Sequence, residues 1–159
     1  MAVFALAAAG YLAFSSWESR WYLGMIPDDI EIGGVVRIGG QSGFREGCGA
    51  AVFNLSPRTI EKIRAGGVAA LTNAKQARNH ADSYHSYSDW RQTPHIVTGD
   101  GLTLVDRWLN GLGCAGLPMQ LSREIQQALD SSGSFYATTS EAGLIVIPKL
   151  GIAIFSYEG

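Results

Sequence analysis

Cys48 is the residue with the most obvious capacity for chemistry. It stands in Glu46-Gly47-Cys48-Gly49-Ala50, and three histidines, His80, His85 and His95, follow it. A cysteine nucleophile needs a base, usually histidine, and a means of lowering its thiol pKa. The charged neighbour here is Glu46, which raises a thiol pKa. No catalytic residue is therefore expected, and a small thiol-dependent hydrolase using Cys48 with a histidine, His85, is kept as the alternative reading. Cys114 offers Cys48 a different fate. No C-x-x-C occurs and no histidine lies at ligand spacing from either cysteine, so a Cys-based metal site is not expected. The pair could form a disulfide closing about 65 residues, worth roughly 4 kcal/mol in the chain-entropy model, if the domain is exported; otherwise both are buried thiols.

Two further segments carry polar chemistry. Residues 39–49 are glycine-rich after a predicted strand, as phosphate-binding loops are, but they lack the Lys-Ser/Thr of a P-loop and the G-x-G-x-x-G spacing. They read as a structural turn. Residues 72–94 are polar and without period, and a loop that long inside a domain tends to be functional. His80, Asp82, His85 and Asp89 could ligate a metal, yet the spacing matches no specific signature such as H-E-x-x-H, and the expectation is a solvated loop with no metal and no cofactor. The same loop interleaves Tyr84, Tyr87 and Trp90 with polar residues and is followed by Arg91. Rigid rings among polar groups are what recognition surfaces use. Tyr84, Tyr87, Trp90 and Arg91 are thus the candidate binding residues, unless the rings tuck under the loop onto the core.

Elements must position these residues. Residues 28–38 read as extended, with a turn or bulge at Gly33-Gly34, and 50–55 as a strand. Ser56-Pro57 is a helix start, Ser as N-cap and Pro at the first helical position, with Gly66-Gly67 as the stop. Residues 102–112 predict an amphipathic helix ended by Gly111 and Gly113, and a second helix runs from Ser122 through Ile125 and Leu129 to Gly133. Residues 135–139, 144–147 and 152–157 are three β runs separated by turns, as in a meander. The fold class is α+β: a small antiparallel sheet with two or three helices packed on one face.

The chain has 159 residues, 47% of them hydrophobic and 16% charged, which excludes a disordered chain. Its net charge of −2 and lack of basic clusters give no reason to expect nucleic acid. The first residues are apolar and uncharged from Ala2 to Phe14 and are followed by Trp17, Trp21 and Tyr22. A bilayer core about 30 Å thick needs roughly 20 helical residues, so this run is short for a span. It lacks the basic n-region of a signal peptide, although Ala13-Phe14-Ser15 fits a cleavage site. The aromatic rim favours an anchor, with a core helix as the competing reading. Residues 1–22 are therefore expected to be an anchor or signal segment contacting the membrane through residues 2–17, and 28–159 a single domain. The expected function is a non-catalytic binding module of the cell envelope, lying outside the cytoplasm or cleaved and periplasmic, whose partner is an unknown protein or small ligand. A structural envelope protein is the third alternative.

Overall fold

Ser56 begins the first well-defined helix as its chemistry requires. Its hydroxyl accepts from the Thr59 amide at 3.1 Å, Pro57 follows at the first helical position, and Gly67 closes the helix at φ 55°. The structure is a computed structural model that describes residues 2–42, 46–96, 101–103, 106 and 108–159. In chain order the elements are α1 (Ala2–Gly24), β1 (Ile32–Ser42), β2 (Gly47–Leu55), α2 (Pro57–Gly66), β3 (Arg91–Gln92), α3 (Met119–Leu129), β4 (Phe135–Thr138), β5 (Ala142–Ile147) and β6 (Ile152–Glu158). Short 3-10 turns at Gly67–Leu71 and Ser83–His85 and a helical turn at Gly111–Cys114 complete them.

The strands form one six-stranded sheet in the order β1-β2-β6-β5-β4-β3, antiparallel at each pairing. The C-terminal strands make the meander, and β6 lies beside β2, joining the meander to the β1/β2 hairpin. The expected irregularity at Gly33-Gly34 is present as register shifts between Ile32 and Gly34 and between Val35 and Arg37. The glycine-rich segment is mostly strand rather than loop: Gly39 pairs with Ala50 and Gly40 with Gly49. Residues 43–45 of this segment lie outside the described residues.

Helices cover both faces of the sheet, which corrects the one-face expectation. On one face the end of α1, together with Ile63 of α2, Tyr87 and Trp90, packs on Phe53, Leu144, Val146 and Phe155. On the other, Leu109 and the Ile125, Ala128 and Leu129 side of α3 pack on Val52, Ile145 and Ile154. The physical reason is in β5 and β6. Leu144-Ile145-Val146-Ile147 is buried at every position, and a strand apolar on both sides has two faces to cover.

The second cover approaches the backbone closely. One row of paired residues across the sheet runs Gly39, Ala50, Ser156, Gly143, all small. A Cβ on Gly39 would lie 2.8 Å from the Ala115 carbonyl oxygen, and one on Gly143 would lie 2.8 Å from the Trp108 Cβ. Only glycine admits that approach. The helix expected over 102–112 falls partly on 104, 105 and 107, outside the described residues. Among those described, Asp106 and Trp108 are helical, and Gly111 and Gly113 lie inside a helical turn rather than ending one. The helix expected from Ser122 starts three residues earlier, at Met119.

The N-terminal helix is continuous to Gly24. From Ala13 to Trp21 no residue is buried, and Phe14, Trp17 and Trp21 expose their rings. Tyr22 then enters the core at 3% exposure, followed by Met25 and Ile26. Tyr22, Met25 and Ile26 therefore pack in the same core as the sheet. No helix among the described residues is long and apolar enough to cross a membrane.

Candidate functional site

The ring cluster expected in the polar loop separates into core and surface. Trp90 is 5% exposed and its indole N–H donates to the Ala74 carbonyl at 2.8 Å. Tyr87 is equally buried, and its hydroxyl donates to the Met25 carbonyl at 2.7 Å. Tyr87 fastens the loop to the residue that follows α1, and Trp90 ties the two ends of residues 74–90 together, because a buried ring with a polar tip needs a partner for that tip. Trp90 is thus a core residue rather than a contact residue. Arg91 is exposed on the edge strand β3, where it pairs with Tyr136 of β4. Tyr84 is 54% exposed.

Tyr84, His85 and Tyr87 come together with residues from distant elements around a cleft of about 300 Å³. Its aromatic walls are Trp21 from α1, Tyr84 and Tyr87 from the loop, and Phe155 and Tyr157 from β6. Its polar groups are His85, Thr139 and Glu141. Trp21 meets Phe155 and Tyr157 edge to face, with centroids 6.2 and 5.8 Å apart. The Tyr84 hydroxyl donates to the Glu141 carboxylate, which raises the Tyr84 pKa by stabilising the protonated phenol. Among the described residues, neither Lys nor Arg lines the cleft.

The loop reaches this position through a local frame. Gln76 and Ser86 form an isolated bridge, the Ala77 amide donates to His85 O at 3.1 Å, and the Tyr87 amide donates to Lys75 O at 2.7 Å. Asp82 caps the 3-10 turn by accepting from the His85 amide at 3.0 Å. Its side chain also meets His85 Nδ1 at 2.8 and 2.9 Å, and the hydrogen bond from His85 holds the Asp82 pKa below its ordinary value.

Cys48 takes no part. It is joined to Cys114 in a disulfide, so neither cysteine is free. Cys48 also pairs with Glu158, in register with the Val52 and Ile154 face and opposite the Phe155 face that floors the cleft. The structure therefore does not bring Cys48 and His85 together. Trp21, Phe155, Tyr157 and Glu141 are the cleft residues that sequence reasoning missed. Trp21 was legible only as an aromatic near the N-terminus, and Phe155 and Tyr157 only as strand formers. No protein-family model, curated protein or solved structure matches the chain.

Proposed function

We propose that this chain is a non-catalytic binding module of the cell envelope, held at a membrane through α1, whose aromatic cleft receives a cationic or amine-bearing group of its partner. The observation that carries this reading is the cleft itself: five rings and the Glu141 carboxylate face one space, with neither Lys nor Arg among the described residues that line it. The faces of aromatic rings attract cations within about 6 Å of the ring centroid, most strongly where water is excluded. The disulfide supports placement in an oxidising compartment, where such bonds persist. The exposed Phe14, Trp17 and Trp21 rings supply the interfacial aromatics of an anchor.

Two experiments test the two halves. Fractionation with N-terminal sequencing should find the chain with membranes or, if residues 1–15 are removed, in the periplasm; a cytosolic chain beginning at Met1 rejects the envelope placement. Titration with a butyltrimethylammonium salt, read by tryptophan fluorescence, should give a saturable change in the intact chain. Tyr84→Ala and Glu141→Gln, both at exposed positions, should weaken that binding by roughly 5–30-fold, the equivalent of about 1–2 kcal/mol per cation–ring or charge contact. A linear, non-saturating response rejects the cleft assignment.

A further inference from the structure

His80, Ala81, Asp82, Ser83, Tyr84 and His85 form the outer turn of the loop. Asn79 turns the chain through φ 64° immediately before them. Because Asp82 caps the 3-10 turn, its carboxylate folds back over residues 83–85 and meets His85 Nδ1. His80 arrives from the preceding turn. Its ring stacks on that of His85, centroids 3.7 Å apart and planes 22° apart, with its Nδ1 at 4.0 Å from Asp82 Oδ2. One donor atom from each of the three residues lies within 4.8 Å of the other two.

We propose that His80, Asp82 and His85 bind a divalent first-row transition ion of the zinc class, independently of whether the neighbouring cleft binds a cation. Two imidazole nitrogens and one carboxylate oxygen suit zinc, cobalt, nickel or copper rather than magnesium or calcium. Donors on a shared zinc at about 2.0–2.2 Å sit roughly 3.0–3.5 Å from one another. His85 and Asp82 are already near that separation, whereas His80, 4.0 Å from Asp82 Oδ2, must swing its ring out of the stack on His85 to aim a nitrogen at the same ion. The ion takes the place of the proton between His85 Nδ1 and Asp82, and each histidine coordinates as the neutral ring protonated at Nε2. Preorganisation is supplied by Gln76. Its amide Nε2 donates to the carbonyls of both Asp82 and His85 at 3.3 Å, and its Oε1 accepts from Ser86 Oγ at 2.7 Å. A frame that fixes ligand backbones before binding lowers the ordering cost of the site. Three protein ligands leave a coordination position for water or a further donor. Since His85 also lines the cleft, the ion sits at its lip.

The test is calorimetric titration of the untagged full chain with zinc chloride. One ion per chain is expected, with a zinc-dependent rise in Tm as binding stabilises the folded state. His80→Gln and Asp82→Asn should each weaken binding by at least the roughly 10–100-fold that loss of an outer-sphere partner costs a metal site. His95→Ala should leave it unchanged. Zinc-edge anomalous diffraction from a soaked crystal should place the ion among the three donors, which settles the matter even if a variant fails to fold. Absence of binding to the intact chain, equal affinity in the His80 and Asp82 variants, or an anomalous peak elsewhere overturns the proposal.

Discussion

The phenols of Tyr22 and Tyr87 lie where an ionised oxygen could not be hydrated. Burial pushes both pKa values far above the ordinary 10.0; for Tyr22, the nearby Tyr157 phenol and the Glu18 charge add to the shift. A group whose folded pKa is raised contributes stability that is fully present below its unfolded pKa and is lost as pH rises through the folded one. The contribution of Tyr22 and Tyr87 is therefore intact up to about pH 10 and falls above it. Of the six tyrosines, these two should resist ionisation until the fold opens. Ultraviolet absorbance titration checks this: a late, cooperative step coincident with loss of circular dichroism is expected. Gradual ionisation of all six before unfolding would place the two rings outside the core. Residue types alone could not separate Tyr84 from Tyr87. Both stand in the same polar stretch, and what distinguishes them is a carbonyl 62 positions away, at Met25, that fits the Tyr87 hydroxyl.

Elements were legible where their chemistry is local. The Ser56-Pro57 start and the Gly67 stop of α2 depend on residues a turn apart, as do the β-branched runs of the meander, and all appear at the expected positions. The glycine-rich segment was misread because glycine signals both a turn and a close approach, and only the partner tells which. Here the partner is the Gly111–Cys114 turn. A Cβ on Gly111 would meet the Gly49 and Tyr157 carbonyl oxygens, whereas one on Gly113 meets nothing within 4 Å. Removing glycine from a helix gains up to about 1 kcal/mol, while forcing atoms into a packed contact costs roughly 1–3 kcal/mol. The obstruction at Gly111 is backbone, which cannot rotate away, so the second term wins there. Gly111→Ala should lower stability by about 2 kcal/mol in denaturant unfolding, and Gly113→Ala should leave it unchanged or slightly higher. Equal effects at the two positions would mean that the turn does not sit on the strands.

At the scale of the whole molecule, the disulfide ties the cover on one face to the hairpin at the sheet's edge. It spans a sequence separation of 66 residues, and a loop of that size stabilises by about 4 kcal/mol in the chain-entropy model. The Cys48→Ser/Cys114→Ser double variant should lose close to that amount in urea, and reduction of the native chain should do the same. A loss well under about 1 kcal/mol would mean that the unlinked chain is already held together by the packing around Ala115 and Arg37, whose Nε donates to the Ala115 carbonyl at 3.0 Å. The two-sided burial of the sheet was legible in principle. An uninterrupted Leu-Ile-Val-Ile run carries no polar face, and a sheet with one wet side needs one. The cleft was not legible, because its walls come from α1, the loop and β6, and nothing in the order of residues says that those three meet.

The continuity of α1 into the core makes the helix a lever as well as a cover. Trp21 is a cleft wall and Tyr22, the next residue, is a core residue, so no joint separates the helix from the cleft. At about 1.5 Å of rise per residue, Trp21 stands roughly 28 Å along the axis from Ala2. Whatever grips the far end of that helix sets both the height and the compass bearing of the cleft. A glycine-serine insertion after Leu12 would uncouple the two, leaving the cleft intact while removing its fixed orientation.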